Sequence, residues 1–150
     1  MYVLDTNVVS ELRKARVGKA DQRVVAWAEA VDAEQLFITA TIALELEAGV
    51  LLVEHRDRAQ GAVMRDWLEN RVWPAFQGRV LPIDFEVARR CARMHVPDRR
   101  GEHDALIAAT ALVHGMIVVT RNVKDFAPTG VRVLDPWTPS DPRATGKPAR

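Results

Sequence analysis

One cysteine in 150 residues rules out an internal disulfide, and with it the stapled scaffolds of small secreted proteins. No apolar run is long enough for a membrane-spanning helix, so no membrane role is expected. Neither sign of charge dominates: 21 Lys plus Arg face 20 Asp plus Glu, a net charge of +1. That is too little for a global pull on nucleic acid or on an acidic membrane surface, and an anionic substrate would have to be held locally. The start, Met1-Tyr2-Val3-Leu4-Asp5, has neither a charged leader nor a cleavage site, so a cytoplasmic protein is expected. Also missing are a P-loop, an HExxH helix, paired cysteines and a recognisable serine–histidine arrangement, which removes several common chemistries at once.

What is present is enough for one core. With 48% hydrophobic residues, the chain is long enough to bury a substantial interior and too short for two ordinary domains. Tyr2 to Leu4 reads as a short buried strand stopped by Asp5-Thr6-Asn7, three residues that favour a helix cap or turn. A helix is expected around Val24 to Val31, then a strand at Leu36 to Ile38. From Thr39 to Val53, the spacing of Leu44, Ala48, Leu51 and Leu52 predicts an apolar helical stripe. Ala59 to Trp73 reads as a helix with Met64, Trp67, Leu68 and Val72 on one face, ended by Pro74 and Gly78. Val80 to Ile83 is a third strand, and Ala88, Cys91, Ala92 and His95 then repeat at helical intervals until Pro97. Cys91 is expected as a small apolar core residue. His103 to His114 reads as an alanine-rich helix capped by Gly115, followed by buried strands at Met116 to Val119 and Val131 to Leu134. Alternating strands and helices of this kind imply an α/β layered fold with a mostly parallel sheet covered on both faces. One domain over residues 1–137 and a disordered, proline-rich tail over 138–150 are expected.

The carboxylates are where the chemistry is sought. Asp5 directly follows the first strand, where ligands of parallel sheets gather, although an aspartate at a strand-to-helix junction is more often an N-cap than a catalyst. Glu45 interrupts the apolar run Ile42-Ala43-Leu44-Glu45-Leu46 with no capping box to explain it, leaving a cleft acid or a solvated face. Asp104 stands in the first turn of its helix, where it either complements the helix dipole or faces a cleft. Asn122 and Asp125 follow the fourth strand, where turn chemistry would also place them. Several acids at one sheet edge repel one another, so they take up protons or bind a hard divalent cation, and oxygen-only ligands select Mg2+ or Mn2+. Such a site activates water against a phosphodiester without a nucleophilic side chain.

The segments LDTNVVSEL, TIALELEAGV, HDALIAATA and VVTRNVKDF, in this order, resemble the PIN-domain family, and within it the VapC-type and FitB-like toxins of bacterial toxin–antitoxin pairs. The resemblance runs from Met1 to about Trp137. It implies a three-layer α/β/α fold with a central sheet of four or five strands, and a Mg2+- or Mn2+-dependent ribonuclease. The implied acids are Asp5, Glu45, which opens the Glu-Leu-x-x-Gly motif ending at Gly49, and Asp104. The family often has a fourth acid directly after the Thr-Arg pair. Here that position is Asn122, with Asp125 three residues on, so a weaker second metal site is expected. Thr6, Asn7 and Thr120 would orient the acids and waters, while Arg99, Arg100 and Arg121 are candidate phosphate contacts that ordinary surface charge would also explain, and His103 is a candidate substrate contact that a structural role would also explain. The implied partners are a VapB-type antitoxin, a second copy in a homodimer, RNA such as transfer or ribosomal RNA, and DNA only through the antitoxin. A catalytically weak protein acting as a co-repressor is the competing reading, because of Asn122. A phosphatase using Asp5 as nucleophile would need an aspartate at position 7, where Asn7 stands.

Overall fold

The computed structural model describes residues 1–139. Its centre is β1 (Tyr2–Leu4), β2 (Leu36–Thr39), β3 (Val80–Leu81), β4 (Ile117–Val119) and β5 (Val133–Leu134), all parallel in the order β3-β2-β1-β4-β5. Consecutive side chains of a strand point to opposite faces. Val3 and Leu4 of β1 and Val118 and Val119 of β4 are all buried, so both faces of the sheet are covered and the strands read as continuous apolar runs.

The chain builds β1, β2 and β3 in one direction, then crosses back to β4 on the other side of β1. That reversal makes the carboxyl ends of β1 and β4 the topological switch point of the sheet, where ligands of open α/β folds bind. Tyr2, Val3 and Leu4 pair with Ile117, Val118 and Val119, and the Asp5 N–H donates to the Val119 carbonyl at 2.9 Å. Asp5 and Thr120 therefore leave the sheet side by side.

The helices are α1 (Thr6–Arg13), α2 (Gln22–Ala30), α3 (Ala40–Arg56), α4 (Arg58–Trp67), α5 (Trp73–Ala75), α6 (Phe85–Met94), α7 (Glu102–Val113) and α8 (Val123–Phe126). Asp21, Thr39, Asp57 and Asp84 cap α2, α3, α4 and α6 with side-chain oxygens, satisfying amides that a helix start leaves unpaired. A π-turn over Leu68–Val72 joins α4 to α5, so Pro74 falls in a first helical turn and Gly78, at φ +76°, ends the segment. Gly61 of α4 faces α3 so closely that a β-carbon there would lie 2.5 Å from the Glu54 Cα. No described helix is long and apolar enough to cross a membrane.

One expected face is wrong, and a second is right only at Cys91, which is buried as expected. On α3 the buried residues are Thr41, Ile42, Leu46 and Val50, while Leu44, Leu51 and Leu52 are 57%, 55% and 70% exposed. The helix is apolar on nearly every side, so periodicity alone cannot choose the inward face. On α6 the inward residues are Val87 and Cys91, packed on Ala105 and Ala109 of α7, with Ala88 and Ala92 outside. From residue 140 on, the expected tail lies outside the described residues.

Candidate active site

Asp5 is both a cap and a buried acid. One carboxylate oxygen accepts from the Thr6 N–H at 2.8 Å, and the other accepts from the Thr120 hydroxyl at 2.6 Å and the Asn7 amide at 3.4 Å. The side chain is 6% exposed and Thr120 is fully buried. Thr120 also accepts from the Asn122 N–H at 3.0 Å and the Asn7 amide at 3.3 Å, and the Arg121 N–H donates to Asn7 Oδ1 at 3.4 Å. Asp5 is thus held by α1 on one side and by the turn after β4 on the other.

Glu45 lies one turn into α3, beyond the Thr39 cap whose hydroxyl accepts from the Ile42 N–H at 3.1 Å. Its Oε2 accepts a hydrogen bond from the Thr6 hydroxyl, and its Oε1 lies 3.0 Å from His103 Nδ1. The residue that the sequence offers as either a cleft acid or a solvated one therefore ties α3 to α1 and α7. Asp104 is the third residue of α7, with Oδ2 turned back towards Gly101 at the helix start, where the helix dipole favours a negative charge.

Burial is the main cause raising the Asp5 carboxyl above its ordinary pKa; Thr120 and the Thr6 N–H lower it, and Glu45 and Asp125 raise it again. Asp104 is raised first by burial, then by Asp5, Asp125 and Glu45, with His103 opposing. Glu45 and Asp125 therefore act on both aspartates. Asn122, at the start of α8, is exposed and neutral, whereas the exposed Asp125 adds its charge to the cluster.

Arg99 is exposed in the loop before α7, the half-buried Arg100 donates its backbone N–H to His95 Nδ1 at 3.1 Å, and Arg121 lays its guanidinium over the Trp137 ring at 5.4 Å. His103 points to Glu45, a pairing that sequence reasoning missed and that only the neighbouring Asp104 hinted at.

Among the described residues, no three His, Cys, Asp or Glu side chains form a ready-made metal cage. The donor set nevertheless suits Mg2+ or Mn2+, since such ions keep most of their waters and take one or two carboxylates rather than a full protein cage. Asp5 and Asp104, both raised and the first acting on the second, could supply those carboxylates.

The PIN domain family model matches residues 2–130. The chain is 37% identical to the VapC ribonuclease Y4jK of Sinorhizobium fredii, covering 93% of this chain and 100% of that one. It is 35% identical to toxin FitB of Neisseria gonorrhoeae, over 91% and 99% of the two chains. Among solved structures, FitAB bound to a DNA fragment superposes with a TM-score of 0.85 at 32% identity, covering 95% of this chain and 99% of that one. FitAcB from Neisseria gonorrhoeae gives 0.82 at 34% identity, over 91% and 99%. With the acids gathered at the switch point of a five-stranded parallel sheet, and with a family match spanning most of its length, this chain belongs to the PIN domain family.

Proposed function

We propose that the protein is the toxin of a toxin–antitoxin pair and acts as an endoribonuclease dependent on Mg2+ or Mn2+, cutting RNA at the cleft of Asp5, Glu45, Asp104 and Asp125. The observation that carries this reading is the buried Asp5, held by the Thr6 N–H and the Thr120 hydroxyl at the switch point of a PIN fold, with Glu45 fastened to the neighbouring Thr6 and to His103 beside Asp104. The relatives named VapC ribonuclease and toxin FitB support it.

Asp5 and Asp104 are the residues that would hold the ion. When bound, it lowers the pKa of a coordinated water and neutralises charge on the leaving oxygen. Thr120 and the Thr6 N–H fix the two oxygens of Asp5. Glu45, fastened to Thr6 and His103, keeps α1, α3 and α7 in register around the cleft. Arg99, Arg100 and Arg121 would meet phosphates near the cut, and Asp125 supplies the charge that Asn122 lacks.

The partner reading adds a protein antitoxin, through which the complex would reach DNA; the similar FitAB structure is bound to a DNA fragment. A groove of about 270 Å3 between α1 and the α4–α5 segment fits such a partner. It is lined by Leu4, Val9 and Trp67 and edged by Arg13, Arg16 and Arg71, so an amphipathic acidic segment would match it in both apolar surface and charge. The outward stripe of Leu44, Ala48, Leu51 and Leu52 on α3 supports a homodimer, because exposed apolar patches of this kind mark interaction surfaces. The cytoplasm is the proposed compartment.

The test is RNA cleavage by purified, antitoxin-free protein. Mn2+ or Mg2+ should be required, EDTA should stop the reaction, and Asp5→Ala or Asp104→Ala should abolish it. Cleavage that persists in both variants rejects the reading. The neutral Asn122 favours one second reading, a weak nuclease serving mainly as co-repressor. Absence of metal-dependent cleavage together with intact DNA binding by the antitoxin complex would select it.

A further inference from the structure

The outer face of α6 has a composition that neither the acid cleft nor the apolar groove uses. Val87 and Cys91 turn inward, which leaves Phe85, Arg89 and Arg93, spaced at i, i+4 and i+8, on the outer side. Phe85 is 74% exposed, and the Arg89 guanidinium lies over its ring at 5.7 Å. With Arg90, Glu86 and Val113 of α7, these residues line a depression of about 270 Å3. Among the described residues, none of Arg89, Arg90 and Arg93 is in a salt bridge; all the ion pairs lie elsewhere. A solvated charge run does not explain an exposed phenylalanine, and a core role does not explain three arginines around it.

The position matters as much as the composition. Helix α6 packs along α7, and the loop joining them carries Arg99 and Arg100 to the end of α7 that bears Asp104. Val113, at the depression, lies about 14 Å along α7 from Asp104 at the α-helical rise, roughly four stacked nucleotides of one strand. Arg99 and Arg100 follow Arg93 in the chain, in the loop that leads from α6 to the start of α7.

We propose that the α6 face is a binding site for an unpaired stretch of RNA, with Phe85 stacking a base and Arg89, Arg90 and Arg93 contacting phosphates, so that a single-stranded segment is held several nucleotides from the bond at the acids. The proposal deepens the ribonuclease reading and rests on it for the identity of the cleft. An aromatic platform bordered by arginines is the general solution for unpaired nucleic acid, because every base has a face to stack while phosphates need only positive charge. Glu86 at the rim narrows the site by repelling a strand that lies across it.

The test is fluorescence anisotropy of a labelled oligouridine in EDTA, where no cut occurs, against full-length protein. Phe85→Ala should weaken binding about tenfold. The pair Arg89→Glu with Arg93→Glu should weaken it further and flatten the salt dependence by about 0.7 for each phosphate that is no longer neutralised. A fully paired RNA duplex should bind Phe85→Ala and parent alike. Circular dichroism and an unchanged melting temperature would show that the exposed substitutions leave the fold intact. Unchanged oligouridine affinity in both variants overturns the proposal, as does equal loss on the duplex; unchanged RNA binding with lost antitoxin binding would reassign the face to a protein. Mn2+-dependent cleavage by the parent is scored separately. Should the parent fail to cut while Phe85→Ala loses oligouridine, the nuclease reading falls and this site stands; a parent that cuts with both α6 variants binding normally has the opposite meaning.

Discussion

Two groups of carboxylates, both drawing on α3, show what separates a structural charge cluster from a chemical one. Glu47, Glu54 and Glu69 surround Arg65 at 2.7, 2.6 and 3.2 Å, and their hydrogen bonds raise the already high pKa of the guanidinium, so the cation is never lost. Two residues before Glu47, Glu45 enters the other group with Asp5, Asp104 and Asp125; none of these is in an ion pair with an arginine or lysine among the described residues, and Asp5 and Asp104 are pushed upward. Similar numbers of acids give a stitched helical hairpin in one place and two aspartates that resist ionisation in the other. The difference lies in the partner, not in the acids.

The strongest way to break this comparison is to remove acids from each group. Asp5→Ala or Asp104→Ala should lower metal-dependent RNA cleavage by more than about a hundredfold, since even residues supporting metal ligands are worth about 10- to 100-fold. Glu69→Ala should leave cleavage by the folded protein unchanged. If both groups behaved alike in a single-turnover assay, the distinction would fail.

Next in size, Thr120→Val removes the hydroxyl that donates to Asp5 at 2.6 Å and should cost about tenfold or more in cleavage. It should also move the acid limb of the pH–rate profile upward, because that bond is one of the influences lowering the Asp5 pKa. An unshifted limb would mean that Asp5 does not set it. The same profile tests the sign for the parent. Asp5 and Asp104 must be ionised to hold a cation, and both are raised above the ordinary value of 3.8, so activity should increase with pH through their folded-state values.

Stability should follow the opposite direction. A carboxyl whose folded pKa is raised destabilises the fold above that value, and the penalty fades as pH falls through it towards the unfolded value. Asp104→Asn should accordingly raise the melting temperature of metal-free protein at neutral pH by a few degrees while removing activity, and Arg65→Met should lower it by leaving three glutamates uncompensated. Equal shifts in calorimetry would contradict the account. The smallest expected effects come from the fourth position: Asn122→Asp should hold or increase activity, and Asp125→Ala should reduce it a fewfold, read as Mn2+ affinity.

Much of this is legible in the chain and some is not, for identifiable reasons. The sheet is readable because Tyr2–Leu4 and Ile117–Val119 are unbroken apolar runs. Asp5 is readable as a candidate because a strand stops at it, although the sequence does not decide between cap and acid, and the structure uses it as a cap while burying it among other acids. The inward face of α3 is not legible, because Leu44, Leu51 and Leu52 fit the helical period as well as Ile42, Leu46 and Val50 do. The Arg65 hub escapes sequence reasoning because its partners lie up to 18 residues away, beyond any local rule. The α6 face does leave a signal in the chain, a phenylalanine four residues before the first of three arginines, but only the burial of Val87 and Cys91 shows that these side chains share an outer surface.

Asp5 and Asp104 are proposed to hold a divalent ion together at the switch point of the sheet. Electron paramagnetic resonance of free Mn2+, titrated with antitoxin-free parent and with the Asp5→Asn, Asp104→Asn double variant, measures this directly. The account predicts that the parent removes Mn2+ from solution and that the double variant, though folded, does not; equal uptake by the two proteins would contradict it.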